Sequence, residues 1–410
     1  MASLKYWVWL STRPGVGAGA ANRLLEWFGT PEQVFFADEK SYADIPSLRK
    51  NDLAALGDKN LLAAKKALEA CEENGYRIVT LFDGDYPARL RNIPDPPVVL
   101  YVRGRLPVMD EEAAVAVVGT RSCTPYGTKA AERMGYELAR HGCLVVSGLA
   151  RGVDSCAALG ALRAGGRVVG VIGSGLDIVY PPENGQLFED VASTGAIISE
   201  YAPGTPVAGE HFPQRNRIMS GVSVGVAVIE APLKSGALIT ASHALEQGRD
   251  VFALPGNVDS PACEGSNRLL REGAVPVMSG KDIAEEYEGL YPDKIQFGRE
   301  KVPLGAQQAE RLVAGVSARK RQKPAKKEID NDNTVEYIDL VRLKERLSAD
   351  EFRIISAIGP HARHIDEIIG ESGLSAGAVL SALTMLELDG YVEQSKGKYF
   401  KLLYEINKVD

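Results

Sequence analysis

No apolar run in this chain approaches the roughly 18 residues of a membrane-spanning helix, so no membrane partner is expected. The first twelve residues are interrupted by Lys5 and carry neither a secretory apolar core nor a small-residue cleavage site, so no secretory leader is expected. Cysteine is scarce: Cys71, Cys123, Cys143, Cys156 and Cys263 stand singly. An odd set with no C-x-x-C pair excludes a disulfide framework and a zinc site, and implies a reducing, cytoplasmic setting. Histidine is equally sparse, with His141, His211, His243, His361 and His364, and no Ser/His/Asp trio can be assembled from them. Positive charge is in deficit, at a net −7. That argues against a chain basic over its whole surface, although nucleic acid responds to local charge rather than to the total.

What is present is a regular alternation. At 410 residues, 45% hydrophobic and 25% charged, the chain has the length of several globular domains. Residues 1–70 read as short helices forming a small domain. Strand-like runs begin at YRIVTLF (76–82) and DPPVVLYVRG (95–104). From Ala113 the pattern becomes regular, and the runs AVAVVG, CLVVSG, VVGVIG, AIISE, VGVAVIEA and DVFALPG alternate with helical stretches. Short β-rich runs separated by helices predict a doubly wound parallel α/β sheet of Rossmann type over 71–291. A polar, basic linker is expected over 292–345, with six cations in SARKRQKPAKK (317–327). Three helical patterns and a hairpin turning at Lys396-Gly397 then predict a winged-helix domain over 346–410.

Ligands of open α/β sheets bind beyond the carboxyl ends of the strands. There the sequence places Gly119, Thr120, Arg121 and Ser122 after the first regular strand, and Ser147, Gly148 and Arg151 after the second. The third contributes Gly173, Gly175, Tyr180 and Asn184. The fourth leads into Phe212, Arg215, Asn216 and Arg217, and the fifth into Lys234, Ser235 and Gly236. Four arginines and a lysine converging on one rim predict an anion site, with glycines allowing close approach of a phosphate. Phe212 and Tyr180 are candidate platforms for stacked bases, or alternatively packing residues at strand ends. Neither G-x-G-x-x-G nor G-x-x-x-x-G-K-[ST] is present, since GTRSCTPYG (119–127) and GSGLD (173–177) are only fragments, and no cofactor is expected. Cys123, beside Arg121, reads as a small residue in a tight loop or as a thiol activated at a helix N-terminus.

The motifs VAVVGTRSCTPYG, SGLARGVD, VIGSGLDIVYPPEN, FPQRNRIMSG and EAPLKSGALITASHALEQGRDVFALPG, in this order, resemble the DNA-processing protein A family, DprA or Smf. The resemblance implies a dimeric extended Rossmann core that binds single-stranded DNA and loads the RecA recombinase in natural transformation. It implies that Arg121, the arginine of the G-[ST]-R motif, contacts phosphate, and that the other rim residues line the same pocket. It also implies a binding protein and no enzyme. Two departures stand out: Ala158 and Leu159 replace a His-Arg pair, and Glu183 occupies a position that is basic in some members. The competing class is a nucleotide-hydrolysing enzyme like the phosphoribohydrolases, whose P-G-G-x-G-T-x-x-E glutamate is missing from KSGALITASHALEQG.

LSTRPGVGAGAANRLLEWFG (10–29) resembles a helix-hairpin-helix, with Arg13 and Arg23 near its turn, and reads equally as a packing domain. The second winged-helix motif helix, SAGAVLSALTMLELDG, holds no Arg, Lys, Asn or Gln and carries Glu387 and Asp389; only Lys396, Lys398 and Lys401 of the wing are basic. Such a helix is not equipped to read a major groove.

Overall fold

The computed structural model describes residues 4–43, 45, 48–297, 337–339, 349–358, 363–388, 392–395, 399–402 and 405–407. The chain forms two compact units, Met1–Gln322 and Lys323–Asp410.

The first unit opens with six helices, α1 to α6: Leu4–Ser11, Ala18–Phe28, Pro31–Phe36, Glu39–Ala43, Lys50–Gly57 and Leu62–Asn74. Strands β1 (Arg77–Thr80) and β2 (Val99–Gly104), with α7 (Ala88–Arg91) between them, lead into the regular alternation. It runs β3 (Ala114–Val118), α8 (Pro125–Arg140), β4 (Leu144–Ser147), α9 (Val153–Arg163), β5 (Val168–Val171), α10 (Gly185–Thr194) and β6 (Ala196–Ser199). It continues through α11 (His211–Gly221), β7 (Gly225–Val228), α12 (Gly236–Glu246), β8 (Asp250–Ala253), α13 (Glu264–Arg271), β9 (Val275–Pro276) and α14 (Gly280–Tyr287).

The nine strands form one sheet in the order β1-β2-β6-β5-β4-β3-β7-β8-β9. From β3 the chain adds β4, β5 and β6 on one side, then crosses to add β7, β8 and β9 on the other, so the switch point lies between β3 and β7. Every residue of β3 to β7 is buried, which is why these strands read as continuous apolar runs rather than alternating ones. Two features depart from the all-parallel expectation. β2 pairs antiparallel with β6, and β1 antiparallel with β2. The exposed two-residue β9, which no strong apolar run announced, extends the far edge parallel to β8.

The N-terminal helices share their core with the sheet: Trp9, Leu10, Leu24 and Leu56 belong to the same buried cluster as Val115, Val146 and Val226. Arg13, beside the Pro-Gly-Val-Gly turn, is buried and donates from Nη1 to Asp58 Oδ2 at 2.9 Å. It is therefore spent on packing this helical segment.

Helices α8 and α9 cross with their backbones almost in contact. A Cβ on Gly135 would lie 2.0 Å from the Ala157 carbonyl oxygen, and one on Gly160 2.0 Å from that of Glu132. No side chain larger than hydrogen fits at either place without separating the helices.

In the second unit, helices Ala349–Ile358, Ile365–Ser372 and Ala376–Leu388 pack with strands Arg363–His364, Val392–Ser395 and Tyr399–Leu402, which form an antiparallel sheet. Ile354, Ile358, Ile368, Leu383, Leu386 and Phe400 make its core. This is the winged-helix plan expected from the sequence. Tyr337–Asp339, within the stretch read as linker, pairs parallel with Glu405–Asn407. The basic run 317–327, His361, Lys396 and Lys398 lie outside the described residues.

Gly135→Ala or Gly160→Ala should each lower stability by about 1–3 kcal/mol through overpacking. Urea unfolding of each single variant measures the loss.

Candidate nucleic-acid interface

A cavity of about 290 Å³ opens at the switch point. Its floor is Val118 at the end of β3, and its walls come from the β3–α8 loop, the turn before α9, the first turns of α11 and the β7–α12 loop. Three cations line it, Arg121, Arg215 and Lys234, against one carboxylate, Asp154.

The loop after β3 is pinned from both sides. Thr120 N donates to Glu230 O at 2.7 Å, and Val153 N to Thr120 O at 3.2 Å. The fully buried Glu230 carboxylate accepts from Thr124 N at 2.9 Å and Thr124 Oγ1 at 2.6 Å, fixing the start of α8. Arg121 is thereby left exposed on an anchored loop, with its guanidinium 4.5 Å from the Phe212 ring centroid. The Tyr180 ring lies 5.8 Å beyond Phe212, tilted by 47°. A cation and two aromatic faces thus form a row along the rim.

Arg215 is the opposite kind of cation. Only 4% of it is exposed, and burial pushes its guanidinium down to about 10, with Asp154 opposing the shift. Nη1 contacts Met219 Sδ at 2.7 Å, while Nε has no partner among the described residues. A buried guanidinium with an unanswered donor in a pocket wall is suited to receive an anion. Burial likewise raises the Asp154 carboxyl, with Arg215 as the main opposing charge. The bare Gly148 makes room for both, since a Cβ there would fall 1.8 Å from Arg215 Nη1 and 2.4 Å from Asp154 Oδ2.

Of the residues expected at the rim, Gly119, Thr120, Arg121, Phe212, Arg215, Asn216, Lys234, Ser235 and Gly236 line the cavity. Ser122 sits exposed beside it, its N–H donating to Thr120 Oγ1 at 3.2 Å. Ser147 and Asn184 serve the backbone instead. Leu149 holds φ at 52°, a left-handed conformation unusual for a branched side chain. Ser147 Oγ accepts from Leu149 N at 3.1 Å and Asn184 Nδ2 donates to Leu149 O at 2.9 Å. Gly173 and Gly175 are buried, packed against His211 and the Ala202 carbonyl respectively. His211 itself stacks on Tyr201 and hydrogen-bonds the Gly173 carbonyl at 3.0 Å.

Two of the five rim cations are engaged elsewhere. Arg217 pairs with Glu200 at 2.5 Å, with side-chain exposures of only 12% and 13%. Arg151 makes two hydrogen bonds to Glu183, that from Nη2 at 3.1 Å, and both side chains are half exposed. Glu183 therefore places a carboxylate where a phosphate could meet Arg151. Sequence reasoning missed Asp154, Met219 and Thr240 as pocket residues. The signal for Asp154 was present, an acidic residue closing the glycine-rich SGLARGVD turn.

Fold and site together define a Rossmann-type protein with a cation-lined pocket at the switch point and a winged-helix domain. The family model for DNA recombination-mediator protein A matches residues 77–288, and that for the DprA winged helix domain matches 341–398. The chain belongs to the DNA recombination-mediator protein A family. It is 34% identical over 406 residues to Protein Smf of Synechocystis, covering 97% of this chain and 98% of that relative. It is 41% identical over 221 residues to the DNA processing protein DprA of Bacillus subtilis, covering 54% of this chain and 74% of the relative. The crystal structure of DNA processing protein A from Streptococcus pneumoniae superposes with a TM-score of 0.61 at 33% identity, over 73% of this chain and all of that one. No described helix is long and apolar enough to cross a membrane.

Arg217→Ala should cost about 3–5 kcal/mol, because it strands a buried carboxylate. Combining Arg217→Met with Glu200→Gln should recover most of that loss, and chemical denaturation of both variants beside the parent would show it.

Proposed function

We propose that the chain binds single-stranded DNA across the switch-point pocket. The observation that carries this reading is the pairing of two kinds of cation there: Arg121 and Lys234 exposed at the mouth, and Arg215 buried with its Nε unanswered among the described residues. The exposed pair supplies long-range attraction and contact with the sugar-phosphate backbone. The buried one supplies a directional hydrogen bond to a single phosphate oxygen. Phe212 and Tyr180 offer flat faces to unstacked bases, which a duplex does not present.

The same reading extends to recombination. A protein that mediates it would hold the strand and load the RecA recombinase onto it during natural transformation. The family to which the chain belongs supports this. We further propose that the protein acts as a homodimer through the Rossmann core, with residues 1–70, 71–291, 292–345 and 346–410 as its working divisions. The winged helix is read as a protein-docking or tuning module. Its second motif helix holds no Arg, Lys, Asn or Gln, and of its described cations Lys401 stands on a wing strand.

Fluorescence anisotropy of a labelled oligo-dT over a salt series tests the site. Three phosphate contacts predict a slope of log K against log salt of about −2, from roughly −0.7 per contact. Arg121→Ala and Lys234→Ala should each weaken binding and flatten the slope. Arg151→Ala should change little while Glu183 is present, whereas Glu183→Gln should tighten binding by releasing Arg151. Equal affinity for a duplex of the same length, or no response to Arg121→Ala, would remove the proposal.

A further inference from the structure

The cavity at the switch point has a floor, Val118 at the end of β3, and holds about 290 Å³. Small-ligand pockets begin at roughly that size, about 300 Å³. An internal nucleotide carries chain on both sides. To bring its phosphate to the inner wall, both flanking sugars would have to fold into the same small space. The last nucleotide of a strand carries chain on one side only and can enter phosphate first.

The walls offer donors that lack partners. Helix α12 starts at the cavity, and its first turn is capped in part: Ser235 Oγ accepts from Ala237 N at 3.2 Å and Ser235 O from Leu238 N at 3.1 Å. The N–H of Gly236 has no acceptor among the described residues. Asn216 Nδ2 donates to Gly236 O at 3.2 Å and fixes the turn. A Cβ on Gly236 would meet no atom within 4 Å, so the space before this helix end is open. Arg215 is the second, independent observation. It lines the same cavity from α11, is 4% exposed, and its Nε has no partner among the described residues. A helix N-terminus and a guanidinium only donate, so what they receive must be rich in acceptors.

Charge narrows the choice. Arg121, Arg215 and Lys234 stand against Asp154, a surplus of at least two positive charges around one small space. An internal phosphodiester brings a single negative charge and two free oxygens. A phosphomonoester brings about −1.5 to −2 at neutral pH and three strong acceptor oxygens.

We propose that the pocket is the seat of a strand end and takes a terminal phosphomonoester. Gly236 N–H and Arg215 donate to its free oxygens, and Arg121 and Lys234 balance its charge at the mouth. The strand then leaves the pocket past Phe212 and Tyr180. This deepens the reading of the pocket as a single-stranded DNA site and rests on it. A 5′-phosphorylated strand, a 3′-phosphorylated strand and a free nucleoside monophosphate share the recognised group.

The test uses the full-length protein and oligo-dT labelled internally, with a 5′-phosphate, a 3′-phosphate or hydroxyls at both ends. In fluorescence anisotropy one phosphorylated strand should bind about tenfold tighter than the hydroxyl-ended one, the worth of one further charge-assisted hydrogen bond. Which strand gains reports the polarity of the seat. Thymidine monophosphate should displace that strand, and thymidine should not. Arg215→Met should abolish the difference between the strands, but it alters a buried position. Gly236→Val provides the second variant, since its Cβ meets no neighbour and its backbone is not left-handed. It should also abolish the difference. Equal binding of all three strands overturns the proposal and leaves the wider DNA reading standing. Displacement by thymidine as readily as by its monophosphate overturns it too, because the base would then be the recognised group. A difference that survives in Gly236→Val removes the helix end from the seat. If no strand binds, the DNA reading itself fails. Calorimetric titration with thymidine monophosphate then decides the phosphomonoester: binding keeps it as a nucleotide site, and no heat ends it.

Discussion

The site depends on how closely two helices can approach. Gly135 on α8 and Gly160 on α9 let the backbones touch, each glycine set against a carbonyl of the other helix. α8 is fed by the loop that bears Arg121, and α9, whose first turn holds Asp154, by the turn that bears Gly148 and Leu149. Closing the helices brings these two loops together above adjacent strands β3 and β4. Val153 can then hydrogen-bond Thr120, and Gly152 packs against the Arg121 backbone. Separate the helices by the width of a methyl group and the pocket floor loses its register. Interiors are packed too tightly for such a gap to stay local.

Within that frame, carboxylates sort the cations. Each arginine gathered near the rim by the fold finds a different electrostatic partner. Arg217 has Glu200 in a nearly buried pair, and Arg151 has Glu183 in an open one. Arg215 feels Asp154 through a shared cavity around Gly148. Arg121 rests on an aromatic face instead. A guanidinium stacked on a ring keeps all its donors for another ligand, whereas one locked to a carboxylate must first exchange partners. Acidic overall charge and a local cationic pocket are thus compatible: Arg217 and Arg151 are paired with carboxylates, while Arg121, Arg215 and Lys234 converge on the cavity.

The strained Leu149 belongs to the same economy of structure. Its left-handed backbone is held by Ser147 and Asn184, two residues whose polarity suggested ligand contact. They act one step removed, shaping the turn that carries Asp154 toward Arg215.

Much was legible beforehand because the fold is written in short-range patterns. Apolar runs such as AVAVVG and CLVVSG mark strands buried on both faces, and the turn residues after them mark the ligand-facing edge, since strand direction in a parallel sheet is uniform. Family membership was likewise carried by local motifs, and Arg121, Phe212 and Lys234 could be placed at the rim from position alone. The antiparallel β1 and β2 were not legible, because pairing direction leaves no trace in composition. Nor could the sequence tell an available arginine from an occupied one. Arg215 and Arg217 are two residues apart on the first turns of one helix, yet one lines the cavity and the other is tied to Glu200. That difference depends on the partners that residues distant in the chain, Asp154 and Glu200, present to each side chain. Position along the sequence set which groups reach the rim; three-dimensional packing alone decided which of them are free to bind, because a charge is neutralised by its neighbours in space.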